Sequence, residues 1–352
     1  MVADYQPVYS LARGGHPESL HFGAIAVVNA RGSLLASLGN QYVPTFLRSA
    51  AKPFQALPFV LAGGVEHYGL STQELALMCA SHSGTDEHAA ILAVLQGKIG
   101  ITEGELLCGV HPPYHAATAD RMKKAGESLF PNRHNCSGKH TGMLAFAKLR
   151  GWPLEDYLDP NHPLQLEIRT IFAELAGLPV DQLALGIDGC SAPIWAAPVY
   201  NTALAYARLM DPAGLSPKLQ KACIEVREAM VAHPSMVAGP DRFDTSLMQA
   251  TDGRILSKSG AEGFQGIGLR KGALAAESPA IGIALKIADG DIRGWVSHAV
   301  ALETLRQLSA ISVQELASLI TFGPRRMIPN WRGLQVGQGE PVFELDPNHG
   351  SG

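Results

Sequence analysis

Arg48-Ser49-Ala50-Ala51-Lys52-Pro53 divides this 352-residue chain into two kinds of sequence. Upstream, residues 22–29 are apolar, Ala30-Arg31-Gly32 reads as a turn, and 33–38 form a second apolar run; the pattern predicts a hairpin. Downstream the period lengthens. Pro53 has no N–H and is tolerated only in the first turn of a helix, so a helix starts just after Ser49. Ser71 and Glu74 spell a capping box ahead of a helix over 72–80. Thr85 or Asp86 opens another that stops near Gly100, and helical spacing recurs over 116–129, 141–149, 164–175, 202–209 and 217–232. From about residue 255 the strand pattern returns. Residues 279–287 and 292–296 read as strands across a turn at 288–290, and 298–308 as a helix. This order predicts an α+β fold in which both chain ends build one antiparallel sheet, packed with helices, and the middle forms a helical insert. The expected parts are 1–45 with 240–340 for the sheet, 46–239 for the mainly helical part, and 341–352 as a tail.

Composition excludes partners better than it points to a function. The chain has a formal net charge of -4 and no Lys/Arg run longer than two, whereas binding a polyanion needs a basic face. A nucleic-acid partner is therefore not expected. No apolar run approaches the roughly 20 residues of a membrane span, and the first fifteen residues have no signal-like apolar stretch, so a soluble cytoplasmic protein with no membrane partner is expected. Cys79, Cys108, Cys136, Cys190 and Cys223 are odd in number and widely spaced, which fits reduced thiols better than disulfide staples.

Reactive side chains gather in short polar islands. In the first, a serine at a helix start stands three residues before Lys52, with the makings of a nucleophile and its base; the plain alternative is a capping serine beside a snorkelling lysine. The second is Cys79-Ala80-Ser81-His82-Ser83-Gly84-Thr85, between two helical patterns, with Thr85 as an N-cap. The third, Ser257-Lys258-Ser259-Gly260-Ala261-Glu262-Gly263, follows a strand-like run and is rich in glycine, which lets backbone approach a ligand closely. In order, Ser-x-x-Lys, Ser-x-Ser and Lys-Ser-Gly resemble the motif set of serine β-lactamases and penicillin-binding proteins, with His82-Ser83 in place of Asp-Asn. The last two islands, Asn132 to His140 and Gly186 to Pro193, each hold one cysteine in a polar loop. Ligand chemistry alone pairs Cys136 and Cys190 with His134 or His140 around a borderline-soft metal such as zinc; two unrelated loop cysteines are the alternative.

Together, Arg13-Gly14-Gly15, Arg48 to Pro53, Ala80 to Gly84, His134-Asn135-Cys136-Ser137-Gly138-Lys139-His140, Gly186-Ile187-Asp188-Gly189-Cys190 and Lys258 to Gly263 resemble the asparaginase II family, the thermolabile, rhizobial-type (class 3) L-asparaginases. The resemblance runs from about residue 8 to about 335, and Cys-Ser-Gly-Lys-His is its most specific segment. It implies a β-lactamase/glutaminase-like fold and a homodimer. It also implies hydrolysis of L-asparagine to L-aspartate and ammonia, with Ser49 as nucleophile, Lys52 as base, and a second serine-lysine pair on Ser81 and Lys258. Zinc would be held by Cys136, Lys139 and Cys190, with lysine standing where ligand chemistry preferred a histidine. Arg48, His82 and Asp188 are candidate substrate contacts by position. Backbone N–H groups at the helix start are expected to meet the oxyanion. The competing readings are a glutaminase or other serine amidase, since one methylene changes binding by only about 1–3 kcal/mol, and a non-catalytic zinc or thiol-redox module resting on the two cysteines.

Overall fold

The computed structural model describes residues 4–347. The chain forms two compact units, Met1–Ala50 with Ala196–Asp211 and Ala250–Gly352, and Ala51–Trp195 with Pro212–Gln249.

The first unit holds the sheet. Its strands are β1 (Gln6–Arg13), β2 (His16–Asn29), β3 (Leu34–Leu38) and β4 (Pro44–Phe46); β5 (Ala184–Ile187) lies in the second unit, and the chain re-enters the first within β6 (Pro193–Pro198). Then follow β7 (Ile255–Gly260), β8 (Phe264–Leu269), β9 (Ile281–Ile287), β10 (Arg326–Pro329), β11 (Gln335–Pro341) and β12 (Asp346–Pro347). The main order is β10-β11-β1-β2-β9-β8-β7, with β3 added to β2 and β12 to β3, and every pairing described is antiparallel. The expected sheet from both chain ends is therefore present, with β2 pairing β9 from Gly23↔Ile287 to Asn29↔Ile281. Ala24 to Val28 are fully buried, as a run of small and β-branched residues covered on both faces should be. The helix Val199–Met210 lies on this sheet so closely that a Cβ at Gly282 would stand 1.8 Å from the Ala203 carbonyl oxygen, which leaves room for glycine alone. Ala196–Pro198 pair antiparallel with β4.

The second unit is helical. Its helix Lys52–Leu61 is buried from Lys52 to Val60, so it is apolar all round and packs on Ser137–Arg150, Pro163–Ala176 and Pro217–Ala232. Phe54 meets Phe172 edge-on at 5.3 Å between ring centroids. Gly138, in the first turn of Ser137–Arg150, sits against the end of Thr72–Met78; a Cβ there would stand 2.0 Å from the Leu77 carbonyl oxygen.

Two local expectations are met and one is not. Ser71 and Glu74 form the capping box of Thr72–Met78, and Thr85 caps Asp86–Ile99 through the His88 amide. Residues 292–296, however, are not a strand. Asp291 turns its carboxylate onto the Val296 and Ser297 amides and so starts the helix Val296–Gln307. A carboxylate that takes up the first helix amides outweighs a short strand-like stretch. Of the expected tail, Asp346–Pro347 pair with β3, while 348–352 lie outside the described residues.

Candidate functional site

Ser49 lies in a 3-10 turn, Arg48–Ala51, immediately ahead of the helix Lys52–Leu61. The turn is entered through Arg48 at φ 51, a left-handed conformation that a non-glycine residue holds only when its surroundings enforce it. Within the sheet unit two contacts do so. Gly260, at the end of β7, lets the turn approach until a Cβ would be 2.5 Å from the Leu47 carbonyl oxygen. The Tyr206 ring fills the space a side chain at Gly266 would need, and its hydroxyl donates to the Ala50 carbonyl at 2.7 Å. Gly266 is the register partner of Lys258, which is wholly buried and donates to the Ser259 carbonyl at 2.7 Å. Lys258 thus lies inside β7 rather than in the turn that ends it.

In the helical unit, Lys52 is 1% exposed and its Nζ meets the Ala80 carbonyl at 2.6 Å, the Asn135 carbonyl at 3.2 Å and Ser81 Oγ at 2.9 Å, with the Cys136 thiol also in reach. Carbonyl oxygens only accept, so two N–H bonds of the amine are committed in either protonation state. The remaining position faces the Ser81 hydroxyl, where it offers a third N–H when charged and a lone pair when neutral. Ser81 is held in turn by its own amide, which donates to the Val237 carbonyl at 2.8 Å. Sequence had assigned Lys52 to Ser49 and Ser81 to Lys258, and nothing in a Ser-x-x-Lys spacing foretells the contact between Lys52 and Ser81.

Cys136, Lys139 and Cys190 also come together. Lys139 and Cys190 are separated by 2.8 Å between Nζ and Sγ, and all three residues are buried. The hydrogen bond from Cys190, followed by the charges of Lys52 and Lys139 working against burial, holds the Cys136 thiol well below the usual range. The bond to Cys136 and burial push Cys190 up. Burial works against the Lys139 ammonium, but Cys190, Cys136 and Asp188 outweigh it and raise its pKa. Asp188 lies 3.6 Å from Cys190 through Oδ2.

Of the histidines that ligand chemistry preferred, His134 spends Nδ1 on the Cys136 amide at 3.0 Å. His140 bonds the Tyr157 hydroxyl at 2.6 Å through Nδ1, and its buried ring also interacts with the Cys190 thiol. Among the described residues, no three His, Cys, Asp or Glu side chains are grouped so as to hold a metal ion. Two thiols, with the Lys139 amine and the His140 ring beside Cys190, are then the donors that the cluster offers. That set suits a borderline-soft cation, with the amine binding as its neutral form.

His82 is placed otherwise than expected. It is wholly buried, its Nδ1 accepts from the Gly84 amide at 3.1 Å and its Nε2 meets Ser137 Oγ at 2.9 Å. Burial, then the nearby His88 and Lys52, keep it well below the usual histidine range. Both ring nitrogens serve the fold, so His82 presents none to a substrate. Its work is to fix Ser137 at the start of the Ser137–Arg150 helix. Sequence reading missed Asn135 and His111: the His111 ring accepts from the Asn135 amide at 3.2 Å and steadies the carbonyl that Lys52 uses. Only its place in a polar island, next to Cys136, marked Asn135 beforehand.

A family model described as L-asparaginase II matches residues 9–341. No curated protein sequence matches the chain. Among solved structures, a Bacillus glutaminase in 4.3 M NaCl is 10% identical with a TM-score of 0.39, covering 82% of this chain and 91% of that one. A Bacillus subtilis glutaminase in covalent complex with 5-oxo-L-norleucine is 11% identical with a TM-score of 0.39, covering 83% and 89%. Mglu in its native form is 14% identical with a TM-score of 0.43, covering 82% and 63%.

Proposed function

The chain belongs to the L-asparaginase II family, an amidohydrolase family, and on that premise we propose that it hydrolyses the side-chain amide of L-asparagine to L-aspartate and ammonia. The observation that carries this reading is Lys52: a buried amine with two N–H bonds committed to carbonyls and its last position turned to a serine hydroxyl. Such an amine moves protons between hydroxyls without leaving its place.

Ser49, three residues earlier in the chain, is the nucleophile. Its Oγ bonds to the amide carbon as its proton passes to the Lys52 amine. That proton goes by way of Ser81 to the departing nitrogen, the C–N bond breaks, and ammonia leaves a β-aspartyl ester on Ser49. Water then adds to the ester carbon and gives a proton to Lys52. Ser49 leaves with that proton as its hydroxyl, and aspartate is released. The family resemblance also gives Lys258 as a lysine of the reaction, and Arg48 and Asp188 as substrate contacts.

Cys136, Cys190 and Lys139 would hold zinc, which when bound would supply a positive charge for orienting the substrate. The chain's own part is to keep two thiols and an amine buried and converged. A homodimer is proposed, to be tested by sedimentation, and a cytoplasmic location agrees with five free, buried cysteines.

Ammonia release from asparagine and glutamine, compared as kcat/KM, tests the substrate. Equal values would remove the preference for asparagine. The Lys52–Ser81 contact favours a second reading in which Ser81 attacks. The diazo-ketone analogue of asparagine followed by peptide mass spectrometry separates the two: adduct on Ser49 supports the first reading, and adduct on Ser81 the second.

A further inference from the structure

Tyr114 and Arg242 belong to none of the polar islands, yet within the helical unit they meet beside the segment that carries Ser81. The Arg242 guanidinium carbon stands 5.7 Å from the centre of the Tyr114 ring, within reach of a cation–π contact. The ring is exposed and the arginine half-buried, and among the described residues no carboxylate pairs with the guanidinium. A cation drawn partly out of water with no anion beside it is open to one brought by a ligand. Tyr114 stacks in turn on His111, with centroids 4.7 Å apart and planes 15° from parallel. His111 is the ring that receives the Asn135 amide, so one run of contacts joins Arg242 to the residue whose carbonyl holds Lys52.

The backbone laces both side chains onto the residues that follow Ser81. The Ser83 carbonyl accepts from the amide of His115, next to Tyr114, at 2.9 Å, and the Ser83 hydroxyl donates to the Ala238 carbonyl at 2.7 Å. Gly239, at φ 112, crosses Ser83 where a Cβ would be 2.3 Å from its Oγ, a passage suited to glycine. Thr245 Oγ1, 2.7 Å from the Gly239 carbonyl, ties the loop to the helix that follows it. Asp241, just before Arg242, is left-handed at φ 57, which a residue other than glycine holds only where its surroundings impose it. A loop fastened at Ala238 and Gly239 and strained at Asp241 presents Arg242 in one place. The charges around the ring are of both signs: burial raises the Tyr114 phenol, Cys136 and Asp188 add to that, and Arg242 opposes them.

We propose that Arg242 is a specificity-determining residue of the substrate site, its guanidinium seated on the Tyr114 ring and taking the α-carboxylate of the amino acid that is bound there. The identity of that ligand rests on the amidohydrolase reading above; the place of Arg242 beside Ser81 does not. A planar guanidinium takes a carboxylate through two parallel N–H bonds, a geometry that a lysine cannot reproduce. The amide that reacts is at the far end of such a molecule, so Arg242 selects what is bound and takes no part in proton transfer. Tyr114 is a positioning residue, acting through the arginine.

Calorimetric titration of the full chain with L-aspartate and with β-alanine, which lacks only the α-carboxylate, provides the test, since neither ligand turns over. Arg242→Gln is expected to weaken aspartate by about tenfold or more, down to the level of β-alanine, and to leave β-alanine unchanged. For asparagine hydrolysis the same variant should raise KM by about tenfold and leave kcat within about twofold. Tyr114→Leu should weaken aspartate and not β-alanine, while Tyr114→Phe, which keeps the ring, should bind as the parent does. Equal loss of both ligands in Arg242→Gln, or aspartate affinity untouched by it, would overturn the assignment. Tyr114 is exposed, so its two variants decide the matter even where Arg242→Gln does not fold: equal loss of aspartate in Tyr114→Phe and Tyr114→Leu, or none in either, counts against it. Absence of ammonia release from asparagine by the parent, with the aspartate pattern intact, would count against the proposed reaction and leave the role of Arg242 standing.

Discussion

Lowering the pH from 7 to 4 should strip this protein of stability through its buried imidazoles, and His88 shows how much. It is 1% exposed, its Nε2 donates to the Ser235 carbonyl at 2.9 Å, and its Nδ1 accepts from the Thr85 amide at 3.2 Å and from the Thr85 hydroxyl. A second proton would have to enter at Nδ1, against two donors. Burial above all, with the charges of His115 and Arg133, pulls the ring from 6.5 to about 4 despite the Ser235 carbonyl. The folded state therefore binds fewer protons than the unfolded state between those values. His88's contribution is complete above pH 6.5 and is lost as the pH falls through that window. At 1.36 kcal/mol per pH unit, a shift of this size is worth about 3 kcal/mol.

His134 and His140, each pulled to about 4 chiefly by burial, act in the same direction. Together the three reach about 10 kcal/mol, comparable with the 5–15 kcal/mol that holds a typical domain. Asp86, hydrogen-bonded to Arg133, and Asp289 are both held below their usual 3.8 and so titrate beneath the window. Urea unfolding followed by circular dichroism, repeated from pH 7 to pH 4, gives stability against pH. The parent should fall steeply below pH 6.5. His88→Gln should start lower and fall less steeply, by up to about 1.4 kcal/mol per pH unit. An identical slope in parent and variant would refute the reasoning, whatever the offset between them.

Three further outcomes follow from close contacts. Gly138→Ala places a methyl 2.0 Å from the Leu77 carbonyl oxygen, so the melting temperature should drop by many degrees, with soluble yield falling alongside it. Tyr206→Phe deprives the Ala50 carbonyl of its donor, a loss of about 1–3 kcal/mol, and should lower kcat more than it raises KM because it loosens the turn that carries Ser49; an unchanged kcat would separate that turn from catalysis. Lys52→Met retains the bulk of the buried stem but no amine, and ammonia release from asparagine should fall by a factor of about 10² or more, with circular dichroism showing the fold retained.

What the sequence could show depended on the distance over which its signals act. The capping boxes at Ser71 and Thr85 were legible because a cap is settled within four residues. The strand order was legible only as a class: 22–29 and 279–287 both read as strands, but their pairing joins positions some 250 residues apart, and no local rule carries it. Residues 292–296 were misread because Ile292, Trp295 and Val296 were weighed without the carboxylate of Asp291 just before them. The β1 strand, Gln6–Arg13, gave no alternation strong enough to mark it. At the site, the residue types were legible and their partners were not. The motif order marked Lys52 and Ser81, the polar loop marked Cys190, and the family resemblance alone supplied Lys139; only the folded chain brings Lys52 to Ser81 and gives both nitrogens of His82 to backbone and Ser137.

The central pairing of β2 with β9 also sets a schedule. On a ribosome adding about 5–20 residues per second, the wait between β2 and its partner is roughly 15–50 s. During that interval the fully apolar run Ala24 to Val28 has an unpaired edge in a crowded compartment, while the helices between them have all been made. Slowing translation near codon 250 should therefore lower the soluble yield more than slowing it near codon 100.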